Sequence, residues 1–362
     1  MIKLTFVGSP VLRRCCGALV GTVMFLLALP VGTAQTTTTT TASSTTSSTV
    51  VRAPRRNTSV LRSGFLLGVF SGGFNPRSAE AYESWLGRRS DFNVEFLTET
   101  AFTNYIGDTG INITDSLAAS TGWVLSVWSG ANRPDRNMMF SVPLATKQDG
   151  TLANVAAGKY DTQYRDVAKI IAARYPGAII RIGWEFNADW YAWSAMGRAQ
   201  DYVAAYRRVA NIFKSASSDF TIDWCPVQGF SAKMPAADAY PGDDVVDVIS
   251  MDVYNDYRWG DYKDDPIKRW EWMKNFKNGL LWQKDFATAH KKPMGIPEWG
   301  VNKDDPYFIE KMHEWIRTND FAYVAYWDSN SAFKGMLSRN QYPQAAATYK
   351  RLFGSMSSKQ GM

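Results

Sequence analysis

The chain predicts an α/β fold, a single (β/α)8 TIM barrel, from three observations. Eight short apolar runs alternate with amphipathic helical patterns. The strand candidates are nearly continuous in apolar residues, as strands covered on both faces must be. Eight repeats over about 290 residues fit a closed barrel better than an open doubly wound sheet. No glycine-rich phosphate loop, short repeat or second domain interrupts the pattern.

In chain order, Phe65–Gly73 reads as a first buried strand closed by glycines, and Ser78–Leu86 as a helix. Val94–Thr100 reads as the second strand and carries Glu95 and Glu99. Trp123–Trp128 reads as the third, with a polar loop after it through Gly150. Tyr164, Val167, Ala168, Ile171, Ala172 and Tyr175 recur at helical spacing, and Pro176-Gly177 ends that helix. The fourth strand is the β-branched run Ile179–Ile182, which leads into Glu185. Tyr202, Tyr206, Val209, Ala210 and Phe213 mark a helix, Phe220–Pro226 the fifth strand and Val245–Tyr254 the sixth. Asp265-Pro266 opens a long helix to about Ala289. Pro293–Gly300 is the seventh strand, Pro306 starts a helix with Phe308, Ile309, Met312, Trp315 and Ile316 on one face, Phe321–Trp327 is the eighth strand, and Gln344–Phe353 a last helix.

Ahead of this domain, residues 1–34 read as an export signal, with Lys3, Arg13 and Arg14, an apolar run Gly17–Leu29 and a small-residue site at Gly32-Thr33-Ala34. The expected location is secreted or periplasmic, with no membrane insertion of the mature domain. Residues 35–63 read as a Thr/Ser-rich linker with too little apolar surface to offset the entropy of ordering. The catalytic domain is expected over residues 64–354, with 355–362 a tail.

The net charge of +6 belongs to the front of the chain. Residues 1–63 hold seven basic residues and no acidic one; taking seven from 40 leaves 33 basic against 34 acidic. A neutral body removes the main support for a nucleic-acid partner. Two of the three cysteines lie in the signal, so Cys225 has no intramolecular partner. The only histidines, His290 and His313, fall in helical patterns, which leaves little from which to build a hydrolytic triad or a histidine-rich zinc site. No cofactor is expected.

In a barrel of this kind the chemistry lies at the C-terminal ends of the strands. There the sequence places Glu185 on strand four, Asp252 and Tyr254 on strand six, Glu298 on strand seven, and Trp327 and Asp328 on strand eight. Two carboxylates facing each other across the mouth can cleave a glycosidic bond without a cofactor, one as acid and one as nucleophile or base. Glu185, between Trp184 and Phe186, sits in the apolar company that keeps a carboxyl protonated. Glu298 needs hydrogen-bond donors, and Tyr254 could supply one. Trp327 could be the platform under the reacting sugar or a core residue. Trp190, Tyr191, Trp193, Trp259 and Trp299 could line sugar subsites or pack. Asn187 and Asp189 could bind hydroxyls or cap the following helix. Glu99 is a better site candidate than Glu95. Asp243-Asp244 and Asp264-Asp265 read as loop charge or helix starts.

The stretch Arg181–Trp193, RIGWEFNADWYAW, resembles the acid/base motif R-x-x-H-E-x-N-x-x-W of glycoside hydrolase family 26, a retaining β-mannanase-type family. It matches at Arg181, Glu185, Asn187 and Trp190. The resemblance implies Glu185 as acid/base, Glu298 of the PEWG segment as nucleophile, Tyr254 as its supporting tyrosine and Trp327 as the strand-eight tryptophan. The family's histidine before the acid/base is Trp184 here. The implied substrate is therefore a β-linked polysaccharide or oligosaccharide: mannan, a bacterial exopolysaccharide, β-1,3-xylan or mixed-linkage β-glucan. A transglycosylase or lyase acting on exopolysaccharide would share the site, and a non-catalytic carbohydrate-binding barrel is the competing class.

Overall fold

The computed structural model describes residues 64–103, 105–106, 112–113, 116–129, 136–255 and 264–355. The expected signal, the linker, Trp259 and most of the tail lie outside these residues.

Eight parallel strands close on themselves: β1 (Leu66–Phe70), β2 (Phe92–Phe96), β3 (Asn137–Val142), β4 (Ile179–Ile182), β5 (Thr221–Trp224), β6 (Val248–Ser250), β7 (Met294–Val301) and β8 (Phe321–Trp327). Each pairs with the next, and β8 also pairs with β1 from Leu66↔Tyr323 to Phe70↔Trp327, which removes both sheet edges. Outside run α1 (Pro76–Leu86), α2 (Leu117–Ser129), α3 (Asp161–Arg174), α4 (Ala199–Ala216), α5 (Pro266–Asn275), α6 (Leu280–Ala289), α7 (Pro306–Thr318) and α8 (Pro343–Phe353). The predicted (β/α)8 barrel is the fold observed.

Strand alternation builds two cores. Phe70, Phe92, Val94, Met139, Ile179, Val248, Tyr323, Ala325 and Trp327 fill the barrel, while Val69, Ile180, Ile182, Ile296, Val324 and Tyr326 face the helices. Gly68 is required by this packing, because a Cβ there would lie 2.3 Å from the Phe92 ring. Helix starts follow the sequence punctuation. Asp265 accepts from the amides of Ile267 and Lys268, Asp305 accepts from that of Phe308, and proline follows each.

The third strand departs from expectation. Trp123–Trp128 is the second half of α2, whose buried Leu117, Thr121, Val124, Leu125 and Trp128 lie on one helical face while Trp123 is exposed. The true β3, NMMFSV, lies in the stretch expected to be loop; five of its six residues are buried. The expected long helix before β7 is two helices, broken at Phe276–Gly279, and β5 is followed by two short 3-10 turns, Gly229–Ser231 and Ala236–Ala239, in place of an α-helix. Asp243 bonds His290 and Asp244 bonds Arg207 at the surface, so that pair is loop charge as expected.

Candidate active site

Glu185 reaches the mouth because the chain leaves β4 through a left-handed turn. Gly183 has φ +52° and Glu185 itself has φ +50°, a conformation that L side chains adopt at a cost. Two hydrogen bonds fix the turn, from the Glu185 amide to the Cys225 carbonyl at 2.7 Å and from the Ala188 amide to the Glu185 carbonyl at 3.0 Å. The residue is 8% exposed. Its Oε2 accepts from Trp190 Nε1 at 2.9 Å, and among the described residues no other bonds the carboxyl. Burial, and then the charge of Glu298, push this carboxyl up to about 8; Arg181 and the Trp190 bond oppose the rise.

Glu298 is delivered by a second irregularity. In β7 the pairing with β8 runs Ile296↔Val324 and then Trp299↔Tyr326, three residues against two. This bulge adds one residue to the strand and inverts its alternation. Ile296 and Trp299 therefore both face the helices, and Glu298 turns into the mouth. Its Oε1 accepts from Arg181 at 2.5 Å and its Oε2 from the Tyr254 hydroxyl at 2.7 Å. Both oxygens are held, unlike those of Glu185.

Arg181 organises the floor of the site. It is fully buried on the inner face of β4 and donates from Nε to Ser141 and from Nη1 to Asp252, both at 3.0 Å. The rings of Phe96 and Trp184 lie 5.1 and 5.3 Å from its guanidinium carbon. One cation thus faces Asp252 and Glu298 directly, with Glu185 nearby. Burial, and then Glu298, raise Asp252 well above the carboxylate range, with Arg181 pulling the other way. Three acids around one buried cation cannot all ionise cheaply. Asp252 and Glu298 each pair directly with Arg181, whereas Glu185 among the described residues bonds the neutral Trp190, so Glu185 is the group best placed to keep its proton. A lone arginine in the apolar run IIRI is the sequence signal for this hub, beyond its match to the motif.

The aromatic floor comes from Trp327, stacked on Phe70 at 4.1 Å and edge-on to Phe96 at 5.9 Å and Tyr254 at 6.4 Å. Trp184 touches Phe96, Tyr191 and Trp193 at ring distances of 5.3, 5.0 and 4.6 Å. Phe96 and Phe70 were not singled out from the sequence, where they read as ordinary strand residues.

Several expected site residues lie elsewhere. Trp299 is on the outer face of β7, wholly buried among Phe308, Tyr326, Tyr349 and Phe353, because the bulge reverses its side. Asn187 is fully buried and neither caps a helix nor meets the mouth. Its amide donates to the Val227 carbonyl at 2.9 Å and accepts from the Val227 amide at 2.8 Å, clipping the loop after β4 to that after β5. Asp189 is exposed on that loop. Asp328 anchors the segment after β8 through the Ser338 amide and hydroxyl. Glu99 is buried near the mouth and pairs with Lys147 at 2.7 Å. Among the described residues, no group of three or more His, Cys, Asp or Glu side chains could hold a metal ion, and no helix is long and apolar enough to cross a membrane.

Solved structures with this arrangement of elements include GH26C from Muricauda sp., with a TM-score of 0.58, 15% identity and coverage of 83% of this chain and 88% of that one. The catalytic domain of the GH26 endo-β-1,4-mannanase of Bacillus sp. JAMB-750 superposes with a TM-score of 0.56 at 16% identity, covering 79% and 86%. The GH26 β-mannanase of Bacteroides ovatus gives 0.55 at 15% identity, covering 82% and 90%. The fold is shared with the GH26 β-mannanases. This GH26-like barrel matches no family model. By sequence it is similar to a protein described as endoglucanase H from Acetivibrio thermocellus, 26% identical over 229 residues, which are 57% of this chain and 23% of that protein. The chain thus spans about a quarter of the length of that curated relative.

Proposed function

We propose that the chain is an exported, retaining glycoside hydrolase that cleaves β-linked polysaccharide, an endo-β-glycanase of β-mannanase type that needs no metal. The observation that carries this reading is the unequal environment of the two glutamates. Glu185 is buried, its carboxyl bonded among the described residues by Trp190 alone and raised to about 8. Glu298 has both oxygens held, by Arg181 and Tyr254. Opposite environments on a carboxylate pair are what acid and nucleophile require. The GH26-like fold and the endoglucanase similarity support the same class of substrate.

In the proposed reaction, protonated Glu185 gives its proton to the glycosidic oxygen as Glu298 attacks the anomeric carbon. The C–O bond to the leaving sugar breaks and a glycosyl ester forms on Glu298. Glu185, now ionised, takes a proton from water, and the resulting attack frees Glu298 and retains the anomeric configuration. Tyr254 keeps Glu298 oriented, and Trp327 offers a flat face to the sugar.

The test uses Glu298→Gln and Glu185→Gln on β-1,4-mannan, mixed-linkage β-glucan, β-1,3-xylan and exopolysaccharide, with product masses recorded. Both variants are expected to lose at least a hundredfold in kcat, with one water gained per cut by the parent. Full activity in both variants rejects the assignment. Products without the gained water replace hydrolysis with transfer or elimination, and binding without turnover by the parent makes the barrel a carbohydrate-binding module.

A further inference from the structure

The residue before the proposed acid/base, Trp184, is tied to a side chain that the two-glutamate mechanism does not use. Its Nε1 donates to the hydroxyl of Tyr191 at 3.0 Å. Indole nitrogen is a donor only, so the phenol oxygen accepts and its own proton is left over. That proton has no acceptor among the described residues. The Tyr191 ring cannot swing away, because it lies flat on Trp193 at 4.3 Å with 9° between the planes. Trp193 in turn is wholly buried and donates to the Trp184 carbonyl at 2.7 Å.

Tyr191 is only partly buried, and it joins the site through Trp184, whose ring lies 5.0 Å from its own and 5.3 Å from the Arg181 guanidinium that holds Glu298. Burial raises it well above the ordinary tyrosine value, and the charges of Glu185, Glu298 and Glu99 add to the rise. The group is therefore a neutral donor at every working pH and serves as neither base nor nucleophile. A fixed O–H with its proton uncommitted, held by an indole that itself packs beside the Arg181 guanidinium, is a recognition element for an acceptor oxygen.

Resting on the glycosidase reading above, we propose that Tyr191 is a substrate-binding residue that donates a hydrogen bond to a hydroxyl or ring oxygen of the sugar bound over Glu298, and that Trp184 is the positioning residue that aims it. The pair Trp184–Tyr191 then supplies a neutral donor beside the proposed acid/base, and selects among β-glycans by where the sugar presents its oxygen. A donor of this kind also discriminates strongly, since a sugar lacking the matching acceptor leaves a buried O–H unpaired.

The experiment is a two-residue cycle, Tyr191→Phe, Trp184→Phe and the double variant, assayed for kcat and KM on β-1,4-mannan, mixed-linkage β-glucan and β-1,3-xylan, with melting temperatures alongside. Tyr191→Phe should lose about 10- to 100-fold in kcat/KM on the substrate the parent prefers, and less on the others, with its melting temperature within a few degrees of the parent's. Trp184→Phe should cost at least threefold less in the Tyr191→Phe background than in the parent, because the indole N–H acts through the phenol. A Tyr191→Phe variant within twofold of the parent on all three glycans overturns the proposal, as do single losses that simply multiply. Glu298→Gln separates the two readings. If it abolishes activity while Tyr191→Phe keeps it, only this inference falls. If the parent cleaves none of the glycans and no exopolysaccharide either, both fall.

Discussion

Replacing Trp190 by Phe tests the chemistry of Glu185 directly. Among the described residues the indole N–H of Trp190 is the one hydrogen bond to the Glu185 carboxyl, at 2.9 Å on Oε2. A donor on a carboxylate favours the ionised form, so this bond holds the carboxyl down against burial and Glu298, which push it to about 8. Loss of the donor must therefore move Glu185 further up. A hydrogen bond to a charged group contributes about 1.5–3 kcal/mol. Trp190 is partly exposed, which weights the lower end and gives a rise of about one pH unit. The assay is the pH profile of kcat/KM, whose alkaline limb reports the acid in the free enzyme. The limb should move up by about one unit in Trp190→Phe.

A second readout separates this from lost sugar stacking. An aryl β-glycoside with a good leaving group needs no proton for the first step, so its kcat depends on ionised Glu185 acting as base in the second. Raising that pKa should slow this step near neutrality, while lost stacking raises KM. An alkaline limb that stays in place or moves down would falsify the assignment of Glu185 as the protonated acid restrained by Trp190.

Other measurements follow from groups outside the reaction. Glu95 is wholly buried, accepts from the Phe74 amide and Trp128 Nε1 through one oxygen, and is pushed up to about 8 by burial. Its unfolded form ionises near the ordinary value of 4.5, so between these values the folded chain keeps a proton that the unfolded chain loses. This contribution is fully present below pH about 4.5 and is lost as pH rises to about 8, at up to about 1.4 kcal/mol per unit. Glu95→Gln should flatten the fall seen in denaturant melts at pH 5, 6.5 and 8, and a slope equal to the parent's contradicts the burial argument. Trp299→Ala should cost about 3–5 kcal/mol of stability. It should leave the ratio of activities on mannan and β-glucan unchanged; a shifted ratio would return Trp299 to the mouth.

Most of the scaffold is legible in the sequence because barrel strands buried on both faces are simple apolar runs, and because helix starts such as Asp265-Pro266 carry their own caps. The third strand was misplaced for a specific reason. WVLSVW and NMMFSV are both short apolar runs, and composition cannot separate a strand from one turn-and-a-half of helix. The wider window decides, since Leu117, Thr121 and Val124 continue the face of Trp128 at helical spacing. Within the site, Glu185, Glu298, Tyr254 and Trp327 were legible as strand-end residues. The role of Arg181 was not, because its partners Ser141, Asp252 and Glu298 come from three other strands or strand ends and only closure of the barrel brings them together.

What no alternation rule could supply is the backbone on which the two glutamates stand. A regular β7 would turn Glu298 toward the helices and Trp299 into the mouth, and the one-residue bulge exchanges them. A regular exit from β4 would not bring Glu185 back over the barrel, and the left-handed pair at Gly183 and Glu185 does so. The proposed acid and nucleophile thus both depend on local departures that the surrounding packing must hold. Gly183 is where this is most exposed to test. A Cβ there would lie 2.8 Å from Leu144 Cβ and 3.3 Å from the Tyr202 ring, in a conformation that itself costs alanine about 1–2 kcal/mol. Gly183→Ala should therefore lower stability by at least that amount. Because the turn aims Glu185, it should also reduce kcat more than it raises KM. Loss of stability with kcat intact would mean that Glu185 is placed by the tertiary bond from its amide to the Cys225 carbonyl and not by the left-handed conformation at Gly183.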